Sequence, residues 1–363
     1  MPLRLHRRDL LAGAAATTAV SVFPGKLRAQ EPLKVGFVYV GPVGDHGWTY
    51  RHDVGRQAVE AQFGDRVETS FVESVNEGPD AERVVRQLAA SGHGLVFTTS
   101  FGFMNATVRV AEQFPDARFE HCTGYKRLDN LATYAGRFYE GRAIVGTMAG
   151  RLTETGKVGY IGSFPIPEVI RGINATAVHL RKVNPEATVT PIWVNSWYDP
   201  GKEAEAARAL IDQGIDVITQ HTDSPAPVQV AEQRGLPCFG QASDMRRFAP
   251  NSQVTAIIDD WGPYYIRRVG EVLDGTWAST DTWAGIGEGM VVVADYGPMA
   301  TEAMIAEADD LAQRIASGAY HPFTGPILAQ DGSVLVPEGK VASDEQLLGM
   351  STYAEGVVGS IPG

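Results

Sequence analysis

Seven short segments hold most of the side chains in this chain that are suited to chemistry. They read GPVGDHGWT (41–49), TSFGFMN (99–105), GSFPIPEV (162–169), NSWYDPG (195–201), HTDSPAP (221–227), GQASDMR (240–246) and AGIGEG (284–289). They bring aromatics (Trp48, Phe101, Phe103, Phe164, Trp197, Tyr198) and isolated acids and amides (Asp45, Asn105, Asn195, Asp223, Asp244), with few cations. Such a set suits a flat, neutral, hydrogen-bonding ring better than a phosphate or a carboxylate.

More familiar chemistries fit less well. Gly41, Gly44 and Gly47 are spaced G-x-x-G-x-x-G rather than G-x-G-x-x-G. Pro42 removes a backbone donor and Asp45 would repel a pyrophosphate, so a dinucleotide cradle is disfavoured. Asp45-His46 and His221-Thr222-Asp223 resemble acid–base pairs, but neighbours in sequence rarely converge, and no G-x-S-x-G elbow is present. Metal-ligand spacings are absent, so no catalytic residue, metal or cofactor is expected.

Of the six tryptophans, Trp193, Trp261, Trp277 and Trp283 read as packing residues. Trp48 and Trp197 sit instead in polar, glycine- or proline-bearing loops, where one from each half of the chain would sandwich a planar base. Asp199, before Pro200-Gly201, reads as a helix cap. Asp244 reads as an acceptor from a ring N–H or exocyclic amine, and Asp223 as a weaker version of the same that also suits a cap. Phe101, Phe164 and Asn195 complete the candidate binding set, with Asp45 from the first loop.

These segments follow strand-like runs. KVGFVYV, VETSFV, GLVFTTS, ARFEHC and LATYAG alternate with helical stretches at 48–63, 79–91 and 105–114. After the helical RFYEGRAIVGTMAGRLTETG the order restarts with KVGYIG, TVTPIWV, DVITQ, LPCFGQ and VTAIID, and helices near 167–183, 201–213 and 225–234. Strand–helix alternation implies parallel sheets covered on both faces, and ligands at the carboxyl ends of their strands. WGPYYIRRVGEVLDG reads as a helix returning to the first half. The expected organisation is an N-terminal lobe of residues 31–140 plus 262–290, a C-terminal lobe of 141–261 plus 291–345, and a C-terminal tail at 346–363. Several crossings form a hinge that suits closure around a ligand.

The 363 residues carry a formal net charge of −12, with 44% hydrophobic and 20% charged residues, a globular composition unsuited to nucleic acid. Residues 1–29 differ: Arg4, Arg7 and Arg8 precede a short apolar stretch that ends Leu27-Arg28-Ala29. That is a signal peptide of twin-arginine type with cleavage after Ala29, too short to span a bilayer, and it predicts a periplasmic, exported product. The two cysteines, Cys122 and Cys238, fall in different lobes and read as buried free thiols.

Taken in order, KVGFVYVGPVGDHGWT, GSFPIPEVIRGINA, WYDPGKEAEAARALIDQGIDVITQ, GQASDM and GIGEGMV resemble the basic membrane protein (PnrA-like) family of ABC-transporter substrate-binding proteins, which includes purine receptors. The resemblance implies a type I periplasmic-binding-protein fold, two Rossmann-like lobes joined by a hinge, and no enzymatic activity. It also implies a purine base or nucleoside as ligand and an ABC permease of the inner membrane as partner; a monomer is expected. In the family's pattern Asp45 and Trp48 occupy the first-loop acid and aromatic, Trp197 the base-stacking position, and Asp244 the base-contacting acid. Two departures, Thr49 and Gly287 where nucleoside binders carry sugar-contacting asparagine and lysine, point toward a free base such as adenine. Another flat heteroaromatic such as riboflavin is the alternative ligand, and a nucleoside hydrolase the remote one.

Overall fold

The computed structural model describes residues 31–362, so the signal-peptide expectation lies outside the described residues. The first lobe begins with β1 (Leu33–Val38), α1 (Gly47–Phe63), β2 (Val67–Val72), α2 (Pro79–Ala90), β3 (Leu95–Thr98), α3 (Met104–Ala111), β4 (Arg118–Cys122) and β5 (Leu131–Gly136). The second follows with α4 (Phe138–Leu152), β6 (Lys157–Gly162), α5 (Pro167–Val183), β7 (Thr188–Trp193), α6 (Pro200–Asp212), β8 (Val217–His221), α7 (Ala226–Arg234), β9 (Cys238–Ala242) and β10 (Gln253–Asp259). Then come α8 (Gly262–Leu273), β11 (Asp281–Ala284), β12 (Val291–Val293), α9 (Glu302–Ala316), the small hairpin β13 (Ile327–Leu328) and β14 (Val334–Val336), and α10 (Asp344–Leu348).

The lobes repeat one topology. The first sheet runs β11-β5-β4-β3-β1-β2 and is wholly parallel; the second runs β12-β10-β9-β8-β6-β7, with β12 antiparallel to β10. Central strands such as β3 and β8 are buried throughout; β3 is apolar until its last residue, while β8 ends in buried Thr219, Gln220 and His221. The chain passes between the sheets after β5, after β10 and after β11, so short crossings form the hinge.

The return of α8 to the first lobe builds an aromatic column. Phe37 stacks on Phe97 at 4.9 Å, Phe97 meets Tyr265 at 4.4 Å, and Trp261 is fully buried at its end. Trp261 is thus core, and Trp193, Trp277 and Trp283 hold their indole N–H on Tyr353 Oη (3.0 Å), Glu120 Oε1 (2.7 Å) and the Gly136 carbonyl (3.0 Å). β11 has no apolar run to announce it; its four residues DTWA form a half-exposed edge paired to β5. Residues 346–362 are packed rather than trailing. Val189 N donates to Gly356 O (2.9 Å), Val358 N donates back to Val189 O (2.8 Å), and Tyr353, Ala354 and Val357 are buried. Cys122 and Cys238 are both free and buried.

Candidate functional site

In each sheet the strand order reverses direction beside the first strand, between β1 and β3 in one lobe and between β6 and β8 in the other. Loops leaving such a switch point diverge and open a crevice. Here the two crevices face each other across one cavity open to solvent, with about 370 Å³ of empty space. Val40, Trp48, Ser100, Phe101 and Thr123 line it from the first lobe, and Glu168, Trp197, His221, Asp223 and Gln241 from the second. No lysine or arginine lines it, as the loop composition predicts.

Trp48 is a fixed wall. Its indole N–H donates to the Thr99 carbonyl at 2.7 Å, and its ring packs edge-on against His52 (4.6 Å) and Trp261 (5.4 Å). Trp197 comes from the opposite lobe, carries Phe164 against it at 5.1 Å, and donates from its indole to Glu77 Oε1 at 3.3 Å. Glu77 also accepts from Ser100 Oγ (2.6 Å) and Gly102 N (3.1 Å), so one carboxylate ties the β3 loop to the opposing tryptophan. Thr123 holds φ +62°, a left-handed backbone unusual for a β-branched residue and typical of binding loops.

The polar lining is acidic and largely desolvated. Asp223 does not cap α7; its Oδ1 accepts from Trp48 N at 3.3 Å across the cleft. Burial, reinforced by the nearby Glu203 carboxylate, pushes its pKa up to about 8, although the Trp48 amide opposes this. Burial likewise drives Asp259, below the cavity, toward its neutral acid form. His221 accepts or donates at Tyr160 Oη (3.2 Å), faces Glu168 at 3.5 Å, and is held toward the neutral imidazole by burial. Among the described residues no cluster of ligating side chains could hold a metal.

An acid whose pKa rises on folding stabilises the fold below its unfolded pKa, and that contribution is lost as pH climbs through the folded value. For Asp223 the loss spans about pH 4 to 8. Asp223→Asn, which mimics the neutral acid, should therefore raise the melting temperature at pH 8 and change it little at pH 4. Equal shifts at both pH values would show that Asp223 does not carry this pH dependence.

Four candidate residues do not line the cavity. Asp244 is consumed within its own loop: its oxygens accept from Arg246 N (2.9 Å), Nε (2.9 Å) and Nη2 (2.6 Å) and from Gln253 Nε2 (2.8 Å). Asp45 lies at the rim, paired with His46 at 2.8 Å and with Arg247 of the other lobe, whose hydrogen bond pulls its pKa down to about 2. Asn195 is a turn residue at φ +52°, and Phe164 stands behind Trp197. Asp199 caps α6 as its sequence suggests, accepting from Lys202 N at 3.1 Å. Sequence reasoning missed Glu77, Thr123, Glu168, His221 and Gln241 as site residues. His221 ends β8 beside the switch point, Gln241 lies near the end of β9 and Thr123 just after β4, one strand farther out, and Glu168 in the first turn of α5; a place at the carboxyl end of a strand is the signal that would have found the first three.

Solved structures share the fold. An ABC transporter solute-binding protein from Conexibacter woesei superposes with a TM-score of 0.64 at 24% identity over 80% of this chain and 98% of that one. A solute-binding protein from Aeropyrum pernix gives 0.70 at 18% identity over 79% and 92%. Among curated relatives, a protein of Brucella abortus named a purine-binding protein is 53% identical over 96% of this chain and 99% of its own. A Haloferax volcanii protein named a putative ABC transporter glucose-binding protein is 38% identical over 92% and 82%. Residues 33–320 match the family described as Bmp, ABC transporter substrate-binding protein PnrA-like. The chain belongs to that family, and is therefore a substrate-binding protein rather than an enzyme, built to carry a small-molecule ligand to an ABC permease.

Proposed function

We propose that this chain is the exported, periplasmic receptor of an ABC importer and that it takes a free purine base of the adenine type. The observation that carries the reading is the pairing of Trp48 and Trp197, from opposite lobes, on one small cavity whose polar walls include the Glu168 and Asp223 carboxyls and the Gln241 amide, with no cation among the described lining residues. Aromatic walls supply sequence-tolerant stacking, and carboxylates accept from ring N–H and exocyclic amine groups. The likeness to the Brucella purine-binding protein supports the same class. A free base is favoured over a nucleoside because neither departure position offers a sugar contact. The Thr49 hydroxyl accepts from Gly41 N at 3.3 Å, and Gly287 packs against the end of α9.

A nucleoside is the second reading. Past Phe101, Thr123 and Glu168 the cavity opens into a wider, solvent-filled cleft where a sugar could lie. Thermal melting with adenine, other purines, adenosine, riboflavin and glucose separates these. Adenine at a hundredfold its Kd should add about 2.7 kcal/mol of stability, a shift of several degrees. Stabilisation by glucose with none by any purine would overturn the purine reading.

A further inference from the structure

Arg142 is a buried cation held behind the cavity-lining Gln241. It lies on α4, only 1% exposed, with its guanidinium 5.5 Å from the Tyr160 ring centre, and it forms no ion pair among the described residues. Its Nε and Nη1 are buried without partners, while its Nη2 donates to Gln241 Oε1. Gln241, in β9, is 5% exposed and reaches the cavity wall.

That contact fixes which way the Gln241 amide faces. A guanidinium has donors only, so the side of the amide turned to Arg142 must be the oxygen. The amide nitrogen is thereby directed away, and among the described residues it has no hydrogen-bond partner. The other N–H and hydroxyl donors of the cavity wall are spent, apart from the Asp223 carboxyl, which is in its neutral acid form below about pH 8. Trp48 donates to Thr99 O, Trp197 and Ser100 to Glu77, Thr123 Oγ1 to Cys122 O, and His221 faces Tyr160 and Glu168.

We propose that Arg142 is a positioning residue that locks Gln241 as the cavity's N–H donor to an acceptor nitrogen of the bound ring. Glu168, on the same lobe's wall, serves as an acceptor, so the cavity selects rings with an unprotonated ring nitrogen beside N–H groups. This rests on the purine reading above. A freely rotating amide would satisfy either edge of a ligand; a locked one rejects a ring whose acceptor is replaced by C–H.

The test pairs ligand atoms with side chains. Adenine and its 1-deaza, 3-deaza and 7-deaza analogues are titrated calorimetrically against the wild-type chain, Gln241→Met, Gln241→Glu and Arg142→Met. In the wild type one analogue should bind at least tenfold more weakly than adenine, and in Gln241→Met that penalty should fall below threefold. Gln241→Glu keeps the Arg142 contact but offers no donor, so it should lose the same penalty even if Arg142→Met fails to fold. Arg142→Met, if folded, should shrink the penalty without touching the ligand; a general loss of affinity for all analogues equally would mean a merely structural role and overturn the proposal. Unchanged penalties in both Gln241 variants would also overturn it while leaving the purine reading intact. Absence of purine binding by the wild type would overturn both.

Discussion

Trp197→Ala is expected to weaken adenine binding about 10- to 100-fold while leaving the melting temperature of the free protein nearly unchanged. The magnitude follows from stacking, worth about 1–3 kcal/mol per aromatic–base contact by alanine substitution. The side chain is half-exposed and its one hydrogen bond, to Glu77, is at the cleft surface, so little of the fold depends on it. Trp48 differs in this respect. Its ring leans on His52 and Trp261, and its indole is bonded to the β3 loop, so Trp48→Ala should lower both affinity and stability. Trp197→Phe, which keeps a ring against Phe164, should recover most of the affinity. Calorimetric titration of the three variants reads this directly. Undiminished affinity in Trp197→Ala would remove that residue from the site.

Trp197 was legible because its glycine- and proline-bearing loop leaves a large ring facing the cleft; Trp48, read as a loop residue, opens α1 and leans one face on His52 and Trp261 of its own lobe while still lining the cavity. The strand and helix order was legible because most buried parallel strands open on an apolar run, even where polar residues follow toward their carboxyl ends, as in β8 and β9. What stayed hidden was direction. Asp244 and Asp223 look alike as loop acids, yet Arg246, two residues on, folds back on the first, and only the lobe partner Trp48 meets the second. Glu168 reads as an ordinary acid in the first turn of α5, and Gln241 as a polar residue inside a strand. Their exposure to a cavity is decided by how the sheets are ordered and which strand ends face the cleft, a property that no local pattern encodes.

Gly47→Ala should then weaken ligand binding by about tenfold or more, through closure rather than through contact with the ligand. Gly47 opens α1 at φ +77°, and its N–H donates to Ser243 Oγ of the opposite lobe at 2.7 Å. A Cβ there would lie 2.7 Å from the Asp223 carbonyl oxygen, nearer than real Cβ atoms approach backbone. The left-handed backbone costs an alanine roughly 1–2 kcal/mol whether the lobes are apart or together. The clash with Asp223 exists only when they meet, and ligand affinity falls in proportion to the population of the closed form. Gly44→Ala isolates the two effects. Gly44 is also left-handed, at φ +50°, but its added Cβ would find nothing nearer than His46 Cε1 at 4.0 Å. Gly44→Ala should therefore lose stability while holding affinity within a factor of about two, whereas Gly47→Ala should lose both, with a larger radius of gyration in ligand-saturated scattering. Equal affinity in the two variants would mean that the first loop does not gate closure.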